Sequence, residues 1–399
     1  MYGIDIEMGS FGQGNSFKIP AGTYNLTVNL ENKIMTINMT ETPPEPPVGP
    51  QLEKVWEITD LAFMSTGDVR QGFGMGGKFY INDKANKKVL VIDENGLTNT
   101  EYPGGANCGI TRDEAGNLIV SNAAFPGAWV VDTASIIVIN PETNDVKEYI
   151  IPEAIGMDGR CDMIGFAKGN LMEDGVIYMT GATNSGISVL TIAGGEINED
   201  ESYVAACDGL TPSSSTVINY YKDLADEDAL LYITRNAAPT KITFDGEEMI
   251  ATTFTLPNKG ACNGVFPFIW DGKEYFVYPT LPNYQNGFAV AEANAEEPLV
   301  EFTSTVNGNA NAFTSNWLNA EVDEDGVTIY QYYPGGHLTV YRLTNGSGDV
   351  QEIINDTNKI VAGVRYYNIM GQEMKEANGI TIVVTTYTDG SHSAVKVIK

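Results

Sequence analysis

A pattern of short strands and turns that recurs six times between residues 51 and 345 limits the fold of this chain more than any other feature. One unit runs Arg70-Gln71-Gly72-Phe73-Gly74, then 78–82, then 88–93. The next has Asn107-Cys108-Gly109-Ile110, then 116–122, then 135–139. A third has Asp162-Met163-Ile164-Gly165-Phe166, then 176–180 and 187–190. Three more open near Thr216-Val217-Ile218-Asn219, Cys262-Asn263-Gly264-Val265 and Asn311-Ala312-Phe313-Thr314, with second strands at 229–234, 274–278 and 327–331. Each unit reads as an inner strand, a turn, a buried strand, a loop and an outer strand. The period, roughly 40–55 residues, is that of propeller blades. Helical periodicity is nearly absent, so the expected fold is all-β, a six-bladed β-propeller, with a stack of irregular sandwiches as the alternative. Strand 54–58, ahead of the first unit, is placed to close the ring by completing the last blade.

Two appendages flank the ring. Residues 1–40 include a run in which Tyr24, Leu26, Val28 and Leu30 alternate on one face, Glu31-Asn32-Lys33 turns, and 34–37 returns. Two strands alone are marginal in water, so this hairpin reads as the remnant of a β-sandwich repeat. Residues 41–50 are proline-dense and extended. A softer linker, 346–363, leads to a C-terminal β-sandwich-like module at 364–399. There Tyr366, Tyr367 and Ile369 start a strand, 380–387 is rich in Ile, Val and Thr, and Asp389-Gly390 signals a hairpin before the closing strand.

Composition excludes several function classes. With 23 basic and 52 acidic residues the net charge is −29, which disfavours nucleic acid and anionic membrane surfaces and favours solubility. Only His337 and His392 are present, so histidine-based triads and multi-histidine zinc sites are nearly ruled out. The four cysteines, Cys108, Cys161, Cys207 and Cys262, form no CxxC pair. An export compartment permits disulfides, but the spacing favours small buried residues at equivalent positions of separate repeats. No cofactor or metal is expected. Asp113, Glu114 and Asn117, and likewise 323–326, read as turn residues, because neither loop has the alternating oxygen ligands of an EF-hand calcium site. No stretch is apolar and long enough to span a membrane, no signal peptide is visible at Met1, and a monomer is expected.

A propeller gathers function around its channel. The residues opening the units are therefore the ligand-binding candidates: Arg70, Asn107, Arg160, Asp162, Asn219, Asn263 and Asn311. They suit a pocket that hydrogen-bonds hydroxyls or an acid group, although a wet channel takes polar residues in any case. Aromatic loop residues form a second set, Trp129, Tyr284, Trp317, Tyr332 and Tyr333. Exposed aromatics stack on sugar rings, whereas buried ones pack between blades.

Three segments resemble known families. The C-terminal run YYNIMGQEM, NGITIVVTTYTDG, KVIK resembles the sorting domain of type IX secretion cargo in Bacteroidota, with Thr381 standing where that family usually has Tyr or Phe. FKIPAGTYNLTVNLENKIMTI resembles the end of repeats in SusE/SusF-type starch-binding outer-membrane lipoproteins. GITRDEAGNLIVSN resembles the strand pair of NHL and gluconolactonase-like propellers. The first two imply a cell-surface or secreted setting and the type IX secretion machinery as a partner. The expected function is non-catalytic binding of a glycan or peptide. The alternatives are a propeller enzyme, lactonase or polysaccharide lyase, and a structural or protein-interaction module.

Overall fold

Strands neighbouring in sequence pair antiparallel into six consecutive sheets in the computed structural model, and these sheets form a six-bladed β-propeller. The structure describes the chain outside residues 1–2, 8–23, 30–33, 40–48, 62–68, 100, 123–133, 153–154, 156–160, 183–185, 236, 247, 262, 281–286, 304–315, 347–360, 369–372, 376–379, 388–391 and 399. The chain divides into two compact units, Met1–Gly49 with Gly346–Lys399, and Pro50–Asn345. The larger unit holds the ring.

The first blade orders Gly72–Met75, Lys78–Asp83, Lys88–Asp93 and Gly96–Asn99 from the channel outward. In the second, Ile110–Arg112, Leu118–Ser121, Ser135–Ile139 and Val146–Ile150 follow the same order. The fourth and fifth repeat it with Val217–Lys222 to Glu248–Thr253, and Phe266–Trp270 to Val300–Phe302. The sixth takes Trp317–Asp323, Gly326–Tyr333 and His337–Gly346 from its own segment, and its outer strand is Gly49–Ile58 from the beginning of the ring. First and last blades are thus stitched together as the sequence anticipates. This arrangement protects the ring from opening at one seam, because unzipping it costs a whole strand of pairing.

The first five blades each have a further outer strand that the sequence reading lacks. The reason is burial. Second strands such as Lys78–Asp83 are buried at every position but the first and appear as apolar runs. Outer strands face water on one side, with Val146–Ile150 mostly exposed, so only a weak alternation marks them. The third blade departs in another way. Its inner strand is only Lys168–Gly169, not 162–166. Along that buried stretch the backbone is served by other blades instead: Ile164 N–H donates to Gln71 Oε1 at 3.2 Å, and Phe166 N–H to Asn219 Oδ1 at 3.0 Å.

The turns between inner and second strands follow local chemistry. At Asp271-Gly272 both φ values are positive, 51° and 70°. That is the two-residue hairpin geometry that Asp-Gly favours. Buried side chains then fill the spaces between blades, as where Phe79 meets Trp56 and Tyr330 edge-on at 5.6 and 5.5 Å.

In the smaller unit, Tyr24–Asn29 and Ile34–Met39 form the expected hairpin, with Gly3–Glu7 added on the other side of Ile34–Met39. A separate sheet orders Glu373–Met374, Val361–Asn368, Ile380–Tyr387 and His392–Ile398. Among the described residues no helix is long and apolar enough to cross a membrane.

Candidate functional site

An inner strand has one paired edge and one edge facing the channel, where backbone groups need partners. An Asn or Gln side chain carries a donor and an acceptor in peptide-like arrangement, and the ring uses this repeatedly. Asn219 accepts from Phe166 N–H at 3.0 Å and donates to Val265 O at 3.1 Å, joining the third and fifth blades through the fourth. Asn319 accepts from Gly74 N–H at 2.8 Å and donates to Gly74 O at 2.7 Å, joining the sixth to the first. Gln71 donates to Ile164 O at 2.7 Å and accepts from Ile110 N–H at 3.2 Å.

The residues that open the units lie on the same belt. Asn107 donates to Cys161 O at 2.6 Å, Asp162 N–H to Ser214 O at 2.7 Å, and Asn263 to Ser215 O at 2.7 Å. The Trp317 indole N–H donates to Arg70 O, and Tyr332 O–H to Val69 O at 2.6 Å. Asn107, Asp162, Asn219 and Asn263 are all buried. So are Trp317, Tyr332 and Tyr333, so these rings pack within the ring rather than presenting a flat face to a sugar. Arg160, Asn311, Trp129 and Tyr284 lie outside the described residues, as does Cys262. Cys108, Cys161 and Cys207 are buried, and burial pushes the Cys161 thiol up to about 12.

Asp113 and Asn117 act as turn and fastener. Asp113 is fully buried. It accepts from Asn117 N–H and Nδ2 at 2.8 Å each and from Leu171 N–H at 2.8 Å, so it ties the second blade to the third. Glu114 accepts from Gly169 N–H at 2.7 Å.

Inside the belt the channel is filled by rings. Phe73, Phe166 and Phe266 come from three blades, and Phe266 meets the other two edge-on at 6.2 and 6.0 Å. The Arg112 guanidinium lies over Phe166 at 5.0 Å and Phe73 at 5.8 Å. Above this plug, at the ends of the inner strands, a cleft of about 620 Å³ opens, a size ordinary for small-molecule sites. Phe166, Tyr220, Phe266 and Phe268 wall it; Arg112, Lys222, Glu114, Glu321 and Asp323 supply its charge.

Arg112 is under-bonded. Its Nη1 donates to Asp113 O at 3.4 Å, its Nη2 is 3.8 Å from Glu321 Oε1, and its buried Nε has no partner among the described residues. Burial lowers its pKa, while Glu321 and Asp113 oppose the shift; a guanidinium stays charged regardless. Glu321 is better held, accepting from Gly76 N–H at 3.0 Å and Tyr330 O–H at 2.7 Å. On the rim, Lys222 pairs with Asp228 at 2.6 Å, Tyr220 O–H donates to it at 2.9 Å, and Lys168 also pairs with it. Partial burial works against the Asp228 carboxylate, but these three donors hold its pKa down to about 2. Tyr220 moves the other way: burial first, then its bond to Asp228, raise it well above 10. It is therefore a hydrogen-bond donor at neutral pH.

His337 is not part of the cleft. It is fully buried in the sixth blade. Its Nδ1 is 2.6 Å from Thr339 Oγ1, and its Nε2 has no partner among the described residues. Burial first, with Lys54 adding to it and Glu57 opposing, lowers its pKa from 6.5 to about 4. The folded protein then binds fewer protons than the unfolded chain between those values, so stability falls as pH drops from 6.5 towards 4. We expect a loss of up to about 3 kcal/mol over that window. Urea titrations across it should show a shallower slope for His337→Gln, and equal slopes would refute the assignment.

Arg112 and Glu321 escaped the sequence reading. Arg112 stands inside the quoted GITRDEAGNLIVSN motif, but the reading favoured residues at the starts of inner strands rather than their ends. A lone basic residue closing a short apolar strand was the available signal.

No protein-family model matches the chain, and no curated protein matches it. Solved structures are similar at low identity. A protein assigned as a gluconolactonase has 11% identity over 74% of this chain and 93% of its own, with a TM-score of 0.43. A streptogramin B lyase has 14% identity over 74% of this chain and 98% of its own, TM-score 0.40. An inactive virginiamycin B lyase from Staphylococcus aureus with quinupristin has 17% identity over 80% of this chain and 87% of its own, TM-score 0.38. The likeness is one of fold. The six blades of this chain rest on its own strand pairing.

Proposed function

We propose that this protein is an exported, non-catalytic binding propeller whose cleft at Arg112 takes an acidic saccharide. The observation that carries the reading is the under-bonded, half-buried guanidinium set among aromatic walls and flanked by carboxylates. A uronate carboxylate would accept from the loosely held Nη1 and Nη2 of Arg112, a charge-assisted contact that is stronger than a neutral one. Glu114 and Glu321 suit hydroxyl donors. Phe266 and Phe268 offer apolar surface to a sugar ring. Binding is favoured over lyase chemistry by Tyr220, a tyrosine of the cleft wall, because its raised pKa keeps it protonated and unavailable as a base at neutral pH. The exported setting is supported by the sorting-domain pattern of 364–399 and is checked by protease accessibility on intact cells.

Calorimetry with the full chain tests the ligand. Oligogalacturonates should bind, and neutral oligosaccharides of equal length should bind at least about tenfold more weakly. Arg112→Met, which keeps an unbranched apolar side chain there, should lose about tenfold or more in affinity for the acidic oligomers while melting near wild type. Equal binding of acidic and neutral oligomers, or an unaffected Arg112→Met variant, would remove the basis for this assignment. Turnover of the polymer would replace binding with lyase activity.

A further inference from the structure

The seam that closes the propeller carries its single histidine. The chain has only His337 and His392, and His337 begins the strand His337–Gly346 that pairs with the closing strand Gly49–Ile58. Along a strand, successive side chains point to opposite faces. Trp56 packs on Phe79 of the first blade at 5.6 Å, so Glu57 points to the other face, towards Thr339 and His337. Thr339 Oγ1 donates to Glu57 Oε1 at 3.3 Å and lies 2.6 Å from His337 Nδ1. With the hydroxyl proton committed to the carboxylate, Nδ1 carries the imidazole proton and donates to Oγ1, which leaves a lone pair on Nε2. Nε2 is buried and has no partner among the described residues.

This arrangement suits only a neutral imidazole. Protonation would turn Nε2 into a buried donor with no acceptor and bring a charge into a fully buried site. The charged groups around His337 sit on the closing strand: Glu57, reached through Thr339, and Lys54, which pairs with Glu57 at 2.9 Å. From the second strand of the sixth blade Tyr333 tilts against the imidazole at 5.8 Å. From the fifth blade Phe288 and Phe302 pack on Tyr341 of the same strand and bring no charge. Burial lowers the pKa of His337 in the same sense. The closing strand is also lightly held, since none of its ten residues is fully buried and 53–55 are exposed. Elements of that kind open locally at less cost than the whole fold. We propose that His337 makes the closing strand an acid-released latch: when the imidazole takes up a proton, Gly49–Ile58 detaches from the sixth blade while the other strands of the propeller stay folded. The connection from residues 1–48 to the propeller then gains ten residues of free chain.

Amide hydrogen exchange of the full chain, read by mass spectrometry at about pH 7 and about pH 5, tests this. Labelling times are scaled for the intrinsic change of exchange rate with pH. Amides of Gly49–Ile58 and His337–Gly346 should lose at least about tenfold in protection between the two conditions, because the open form binds one more proton. Amides of Leu118–Ser121 and Asp228–Ile233 should not. In His337→Gln the seam should keep its protection within about twofold; if that variant does not fold, His337→Phe, which fills the space without a titratable group, takes its place. Two other groups are separated by the same measurement. Burial works against the Glu57 carboxylate, but Lys54 outweighs it and the pKa is lowered, so Glu57 titrates below this window. Asp113, raised by burial, would loosen the contact of the second and third blades instead. The same loss in the histidine variant, a loss shared equally by all blades, a loss confined to the second and third blades, or no loss in wild type would overturn the proposal.

Discussion

Trp317→Ala should destabilise the ring by about 3–5 kcal/mol, the cost of deleting a buried large aromatic. The loss falls where the ring closes. Trp317 packs in a cluster that joins Tyr330, Tyr332 and Leu338 of the sixth blade to Val69, Phe79 and Ile81 of the first. Its indole N–H also donates to Arg70 O across that seam. Trp317→Phe keeps most of the apolar volume and should recover the larger part of the loss. Denaturant unfolding followed by fluorescence and circular dichroism reads both variants. A cost below about 1 kcal/mol for the alanine variant would mean that the seam is held elsewhere. The same geometry makes Trp317 unsuitable as evidence for stacking on sugars: a binding defect in Trp317→Ala would report damage to the ring.

Gly165→Ala should cost about 3 kcal/mol or more. A Cβ there would stand 1.9 Å from Ile218 O and 2.3 Å from Ile218 C. Those atoms are backbone of the neighbouring blade, so no rotamer change relieves the contact. Sliding the blades apart would break Phe166 N–H to Asn219 Oδ1 at 3.0 Å and Tyr220 N–H to Phe166 O at 2.9 Å. Gly77→Ala is the comparison. It has open space but a φ of +75°, so only backbone strain of about 1–2 kcal/mol is expected. Equal costs for the two variants would show that the blades yield where they meet.

The repeat of buried second strands was legible because a strand covered on both faces must be apolar throughout. Ring closure by 54–58 was legible for a related reason: a strand left over at one end matches a strand missing at the other. The outer strands were not, since one wet face dilutes their pattern. Nor was the shortness of the third blade's inner strand, whose backbone bonds go to Gln71 and Asn219 on other blades. The polar residues opening each unit were singled out as ligand-binding candidates, and Asn107, Asn219 and Asn263 among them bond to neighbouring backbone. Their chemistry, however, is ambiguous in sequence: an amide that binds a ligand and an amide that completes a neighbour's backbone look the same until the neighbour is in place.

The sequence by itself determined the all-β repeat, its six units and the scarcity of histidine and of basic residues. These follow from composition and local periodicity, which are properties of the chain alone. Tertiary structure decided which polar residues are fasteners, which aromatics are core, and that Arg112 and Glu321 meet across the channel from positions far apart in sequence. Such pairings arise when strands from different blades converge on one axis, and no local pattern encodes which two will face each other there.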